Sequence, residues 1–277
     1  MNHPSISFIG GGNMARCLIG GLLRDGYPAS ALHVADPNED TCTSLRDDLG
    51  ITASTDNSAA AGRADVVVLA VKPQVMAEVA RGIAATLQQR RPLIISVAAG
   101  IRIAALERWL GQGLPIVRAM PNTPALVGAG ASALYANHRV SDGQRSQAES
   151  ILRASGIVLW LDDERLMDAV TALSGSGPAY FFLVIEALEA AGRRLGLPAA
   201  TARLLTLQTA FGAAKMALES TLDSTELRRR VTSPGGTTER AIDVLEQHEI
   251  HALFDEALQA ACRRSAELAE TLGQHHD

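Results

Sequence analysis

The stretch Ile6-Ser7-Phe8-Ile9-Gly10-Gly11-Gly12-Asn13-Met14-Ala15 decides how the first half of this chain folds. A short apolar run enters a glycine-rich turn, and an amphipathic pattern from Met14 to Arg24 leaves it. The G-x-G-x-x-A spacing has a physical reading at each small residue. Gly10 permits the tight turn, Gly12 lets the backbone approach a pyrophosphate, and Ala15 keeps the helix close to the sheet. The helix N-terminus adds free N–H groups and the positive end of a dipole. A second strand ends at Ala35-Asp36, 24 residues beyond Gly12, where a carboxylate can hold a ribose 2′-hydroxyl. The same residues could form a plain glycine turn followed by an Asp cap. The strand–turn–helix setting with an acid downstream favours a dinucleotide site. A carboxylate at 36 repels a 2′-phosphate and no Arg follows it directly, which leans toward NADH over NADPH.

Outward from this turn, β-type runs alternate with helical patterns through about residue 160. The runs are Ser5–Ile9, Leu32–Ala35, Val66–Val71, Leu93–Val97, Ile116–Ala119, Ser132–Ala136 and Ile157–Trp160. Several are continuously apolar, as parallel strands covered on both faces require. Helical patterns such as Val75–Leu87 and Gln144–Ala154 fall between them. The expected fold class is α/β: a Rossmann domain with a doubly wound, mostly parallel sheet over residues 1–160, followed by an all-α domain over 161–277. The second half reads as Glu164–Leu173, Ala179–Leu195, Ala199–Ser220, Ser224–Arg230, Thr237–Gln247 and His251–Leu272. Phe181, Phe182, Val184, Ile185 and Leu188 are more apolar than a one-sided surface helix needs, so these helices pack either on another subunit or on an intrachain core.

The 277 residues are 47% hydrophobic, 20% charged and only 4% aromatic, which excludes disorder and leaves the core to small aliphatic side chains. A net charge of −5 without any basic run argues against nucleic acid and against an anionic membrane. Cys17, Cys42 and Cys262 form no C-x-x-C pair, so neither a disulfide framework nor a metal cage is indicated. Met1 to Ser5 carries no signal-peptide pattern, and the long uncharged stretches Ala119 to Asn137 and Ala169 to Ile185 are broken by Pro and Gly. The expectation is a cytoplasmic protein.

A second site is Ser233-Pro234-Gly235-Gly236-Thr237-Thr238-Glu239, leading into a helix. Hydroxyls and free amides at a helix N-terminus suit a small carboxylate, although Thr237 or Thr238 could equally be a simple cap. None of the seven histidines (His3, His33, His138, His248, His251, His275, His276) sits in either glycine-rich turn. Alcohol oxidation usually requires a His, Lys or Tyr base, and Lys215 is the one internal candidate. A protonated imine needs no such base, so the pattern favours C=N over C=O chemistry.

Six segments together resemble the pyrroline-5-carboxylate reductase family. They are Phe8-Ile9-Gly10-Gly11-Gly12-Asn13-Met14, Ala70-Val71-Lys72-Pro73, Ser96-Val97-Ala98-Ala99-Gly100, Met120-Pro121-Asn122-Thr123-Pro124, Leu173-Ser174-Gly175-Ser176-Gly177-Pro178-Ala179-Tyr180 and Ser233-Pro234-Gly235-Gly236-Thr237-Thr238. The resemblance implies reduction of 1-pyrroline-5-carboxylate to L-proline with NADPH or NADH. It also implies a helical domain that interleaves in a dimer, five of which make a decamer in many members. It places Gly10, Gly11, Gly12, Asn13 and Met14 at the pyrophosphate, and Asp36 and Asn57 along the adenosine. Ala70, Lys72, Pro73 and Ala98 line the cofactor cleft. Glu164, Ser233, Gly236, Thr237 and Thr238 fall at the substrate, with the Thr238 hydroxyl on the ring nitrogen as the catalytic contact. Arg230 falls where the family touches the cofactor from the helical domain. Two other readings compete: a β-hydroxyacid dehydrogenase using Lys215, and a non-catalytic NAD-sensing protein.

Overall fold

A computed structural model describes residues 3–274; His275 and His276 lie outside them. The sheet unit is built from β1 (Ile6–Ile9), α1 (Asn13–Arg24), β2 (Leu32–Ala35), α2 (Glu39–Leu49), β3 (Thr52–Ser54), α3 (Asn57–Arg63) and β4 (Val66–Leu69). It continues with α4 (Met76–Arg90), β5 (Leu93–Ser96), α5 (Ile103–Leu110), β6 (Ile116–Met120), β7 (Gly130–Ala136), α6 (Asp142–Arg153) and β8 (Gly156–Trp160). The eight strands lie in the order β3-β2-β1-β4-β5-β6-β7-β8. All pairs are parallel except β6–β7, which are joined by a short 3₁₀ turn at Thr123–Val127 instead of a crossover helix. β7 and β8 are parallel again, with α6 as the crossover.

The expected doubly wound sheet is present, with one strand more than the seven β-type runs. β3 is Thr-Ala-Ser, too short and too polar to show a pattern, and it exists because it pairs with His33–Ala35 at the sheet edge. β4 stops at Leu69, earlier than its apolar run, because Ala70 to Lys72 leave the sheet and Pro73 opens a 3₁₀ turn. Two cores cover the two faces. One joins Phe8, Val34 and Val68 to Leu18, Ile19, Leu45 and Ile151. The other joins Ile9, Leu69 and Ile94 to Ala80, Ile83, Leu87 and Leu106. At about 25 cal/mol per Å² of apolar surface removed from water, these layers supply the main stabilisation of the unit.

After β8 come a 3₁₀ turn at Glu164–Leu166, α7 (Met167–Val170) and a single π-helical stretch, Thr171–Gly175. α8 (Gly177–Arg194), α9 (Ala199–Glu219), α10 (Ser224–Arg230), α11 (Thr237–Gln247) and α12 (Ile250–Gln274) follow. The chain divides into two compact units: everything up to Ser176 together with the chain from Ala261 onward, and Gly177–Ala260. Among the described residues β structure ends at Trp160. Residues 161–176 nevertheless stay bonded to the sheet unit through Glu164 and Asp168, and α12 is bonded to it through Ser265. Those long-range bonds have no sequence signature.

Within Gly177–Ala260 only Gly177 and Ala202 are buried. Phe181 is 71% exposed, Leu204 68% and Phe211 63%. A helix such as α9, apolar around its circumference, is stable only when something covers it. The run Glu164–Arg194 is also long and apolar enough, by length and composition alone, to cross a membrane. A second copy of the chain covers such faces if the same surface is self-complementary. The chain is therefore expected to associate through an interface above roughly 2,000 Å² and to show no active monomer at any dilution. Light scattering alongside activity against concentration checks this, and a stable active monomer would refute it.

Candidate active site

Parallel register lines up the strand ends. Ile9 stands opposite Ala35 and Leu69, and Leu69 opposite Ser96. Gly10, Asp36, Ala70 and Val97, the residues that follow, therefore share one edge of the sheet. This is the carboxyl-end crevice where the strand order reverses around β1 and β4.

Gly10 has φ +102°, and a Cβ there would lie 2.7 Å from the Ala70 carbonyl oxygen. Only glycine satisfies both conditions. A Cβ on Gly11 would meet Leu45 and Thr41 of α2 at 2.8 and 2.9 Å, whereas one on Gly12 would meet nothing within 4 Å. Gly12 is the N-cap of α1 and no side chain caps that helix. The first turn of α1, which includes Asn13 and Met14, thus has no side-chain cap and begins beside an unobstructed Gly12. Those two features, a cradle with room and an uncapped helix dipole, fit a dinucleotide pyrophosphate.

Asp36 is tied in place. Its Oδ2 accepts the Gly11 N–H at 2.8 Å and its Oδ1 the Asn38 N–H at 3.0 Å, while Asn38 caps α2. Behind it the Cys42 thiol donates to the carbonyls of Asp36 and Ser54, and burial pushes that thiol above its ordinary pKa. Asp36 is thus both a brace for the glycine turn and a fixed negative charge at the end of β2. Asn57 opens α3 and lines a cavity of about 500 Å³ with Thr55, Asp56 and Glu78. Lys72 is exposed at the start of the 3₁₀ turn, with Pro73 next to it. Ala98 is buried in the turn after β5.

In the helical unit, α11 opens on Gly236 with no side-chain cap. Neither Thr237 nor Thr238 is the cap residue. Gly235 takes φ +71°, and its N–H donates to Glu239 Oε2 at 2.7 Å. The turn is closed by the Gly236 N–H donating to the Ser233 carbonyl at 3.0 Å. The start of α11 remains uncapped and both Thr residues are exposed, an arrangement that suits a small carboxylate.

Other candidates separate from these sites. Lys215 is 57% exposed and pairs with Glu219 at 3.2 Å on its own helix, an ordinary i,i+4 surface pair. Arg230 pairs with Glu226 at 3.0 Å. His3 packs on Tyr27, and burial followed by the charge of Arg63 lowers the pKa of His33. Glu164 lies in the sheet unit, with Oε1 engaged by the Ile103 N–H and by Arg118. Sequence reasoning missed Arg118 and Asn122. An arginine in the apolar run of β6 was the available signal for Arg118. Asn122 donates to Ser174 and accepts from the Ala131 N–H, which ties the π-helical stretch to β7; no local pattern reveals that.

Because nothing stands within 4 Å of a Cβ at Gly12, Gly12→Val is expected to fold normally yet abolish NADH and NADPH binding. Calorimetric titration on protein with an unchanged melting profile checks it, and retained tight binding would make the turn purely structural.

Comparisons with known proteins show the family. The family model described as pyrroline-5-carboxylate reductase dimerisation matches residues 164–268, and that described as NADP oxidoreductase, coenzyme F420-dependent, matches 5–100. The first range contains the exposed apolar helices and gives them a protein partner. The reductase of Pseudomonas aeruginosa is 55% identical over 99% of this chain and 100% of its own, and that of Haemophilus influenzae 45% over 98% and 100%. The solved structure of a pyrroline-5-carboxylate reductase from Coxiella burnetii superposes with a TM-score of 0.92 at 48% identity, covering 96% of this chain and 99% of that one. The Plasmodium falciparum enzyme with NADP bound gives 0.87 at 31%, covering 97% and 99%. With 45–55% identity over nearly the full length added to a glycine cradle and an uncapped Pro-Gly-Gly turn, the chain belongs to the pyrroline-5-carboxylate reductase family.

Proposed function

We propose that this chain reduces 1-pyrroline-5-carboxylate to L-proline, with the roles of its residues assigned as follows. The reduced nicotinamide cofactor supplies a hydride to the imine carbon when bound, and a proton completes the ring N–H. Gly10, Gly11, Gly12, Asn13 and Met14 hold the pyrophosphate on the first turn of α1. Asp36 and Asn57 flank the adenosine, while Ala70, Lys72, Pro73 and Ala98 border the cleft. The amides of Thr237 and Thr238 at the uncapped start of α11 hold the substrate carboxylate, with Ser233 and Gly236 forming the closed turn that presents them. The Thr238 hydroxyl orients the ring nitrogen.

The observation that carries this reading is the uncapped start of α11 beside two exposed threonines. A turn built only to cap a helix would have used a Thr side chain there. No base is required, because the imine nitrogen can arrive protonated; catalysis is then positioning and exclusion of water. The surface ion pair of Lys215 disfavours the β-hydroxyacid dehydrogenase reading, which needs that lysine as its base. A dimer interleaved through the helical domain and a cytoplasmic location complete the proposal. The three free cysteines are consistent with a reducing compartment. Oxidation of NADH and NADPH with pyrroline-5-carboxylate, set beside 3-hydroxy acids, tests the assignment; turnover of only the hydroxy acids, or of neither, would refute it.

Thr238→Ala is expected to lower kcat/KM by about 10- to 1000-fold with little change in cofactor affinity. Steady-state kinetics with both substrates varied checks it, and wild-type turnover would remove Thr238 from the mechanism. The charge at Asp36 should favour NADH, since two backbone N–H donors prevent the carboxylate from swinging away from a 2′-phosphate. Asp36→Asn keeps an acceptor for Gly11 and is expected to raise the NADPH-to-NADH ratio of kcat/KM by about 10-fold. An unchanged ratio would restrict Asp36 to bracing the turn.

A further inference from the structure

Glu164 and Asp168, one helical turn apart, reach the same short turn of the sheet unit. Glu164 Oε1 accepts the Ile103 N–H at 2.8 Å and stands 3.2 Å from Arg118 Nη1. Asp168 Oδ2 lies 3.8 Å from Arg102 Nη2, and its Oδ1 accepts the Ser265 hydroxyl of α12 at 2.7 Å. Arg102 is the N-cap of α5 but provides no side-chain cap, so the carboxylate of Glu164 does so from outside the helix. Arg118, on β6, is only 3% exposed, and a guanidinium that deeply buried needs its paired charge.

The turn held this way runs from β5 to α5. At its start the Val97 N–H donates to the Leu69 carbonyl at 3.1 Å. Ala98 is buried, and Gly100 takes φ +73°, with Leu272 and Ala269 of α12 at 3.5 and 3.6 Å from the position of a Cβ. Its far end, Arg102-Ile103, is where both carboxylates act.

We propose that Glu164 is a positioning residue for the cofactor cleft and not a ligand of the substrate. By capping α5 and pinning Arg118 it fixes the Ala98–Gly100 turn, and Asp168 holds the same turn through Arg102. This rests on the proposed place of Ala98 beside the cofactor.

The test is fluorescence titration of the full-length protein with NADH and NADPH in the absence of substrate, followed by kinetics at saturating cofactor. Glu164→Ala is expected to weaken cofactor binding about 10-fold while the KM for pyrroline-5-carboxylate stays within about twofold. Glu164→Gln, which keeps an acceptor for Ile103 but removes the charge paired with Arg118, should fall between wild type and Glu164→Ala, with cofactor affinity about threefold below wild type. Unchanged cofactor affinity in Glu164→Ala overturns the proposal, and a raised substrate KM in that variant would make Glu164 a substrate ligand. Equal losses in the Ala and Gln variants also overturn it. If Glu164→Ala fails to fold, Asp168→Ala decides. It leaves the Arg118 pair intact, and a cofactor Kd raised about threefold or more supports the clamp, whereas an unchanged one refutes it. Titration needs no turnover, so a wild type that binds cofactor but does not reduce pyrroline-5-carboxylate would refute the functional reading alone; one that binds neither cofactor would refute both.

Discussion

No side chain fits between Gly10 and the carbonyl of Ala70, and the layout of the cofactor edge depends on that contact. β1 and β4 pair through Ile9 and Leu69, and the Ala70 N–H donates to the Ile9 carbonyl at 2.8 Å, so both strands leave the sheet at the same level. The chain must turn there at once, and the left-handed φ of Gly10 makes the turn. α1 then starts directly above the crevice with its first amides unsatisfied. Asp36 closes the arrangement from β2, because one carboxylate oxygen takes the Gly11 N–H and the other the Asn38 N–H. The carboxylate that braces the turn is also, in the proposed cofactor site, the charge a 2′-phosphate would meet.

The helical unit has the opposite economy. The sheet unit buries its apolar residues in two layers, one on each face. Gly177–Ala260 buries almost none, with Phe181, Phe182, Leu204 and Phe211 all more than 60% exposed. Hydrophobic burial is the dominant favourable term in folding, so a unit that lacks it is completed by association. The match of the reductase dimerisation model to residues 164–268 identifies the partner as a second copy. The stability of the helical unit is therefore expected to depend on assembly, while the sheet unit has a core of its own.

Between these two regimes lies a small polar cluster within the sheet unit. Arg118, Glu164, Asp168 and Ser265 come from β6, from the helical run after β8 and from α12, and they converge near the start of α5. A charge-assisted hydrogen bond of this kind contributes about 1.5–3 kcal/mol, and leaving one partner buried and unpaired costs more. The geometry of Arg118 and Asp168 is accordingly held more tightly than that of the exposed pairs Arg229–Glu226 and Arg264–Glu267, which contribute little.

Local chemistry was legible in the sequence wherever a residue's role depends on its near neighbours. The glycine turn with Asp36 downstream, the apolar strands of a two-faced sheet, the Pro-Gly-Gly entry into α11 and the surplus of apolar residues on α8 can all be read within short windows. Tertiary structure decided what depends on distant pairing. β3 is a strand because His33–Ala35 lies beside it, and β7 runs antiparallel because the Thr123–Val127 turn is too short for a crossover. Residues 161–176 and the chain from Ala261 onward belong with the sheet, where Glu164 reaches Ile103, 61 residues away, and Ser265 reaches Asp168 across 97. Sequence by itself determined the periodicities and turns, since backbone sterics and amphipathic spacing are local properties of the chain. Only the folded chain decided which carboxylate braces which turn, because an ion pair or a cap is set by distance in space, and spacing along the chain does not encode it.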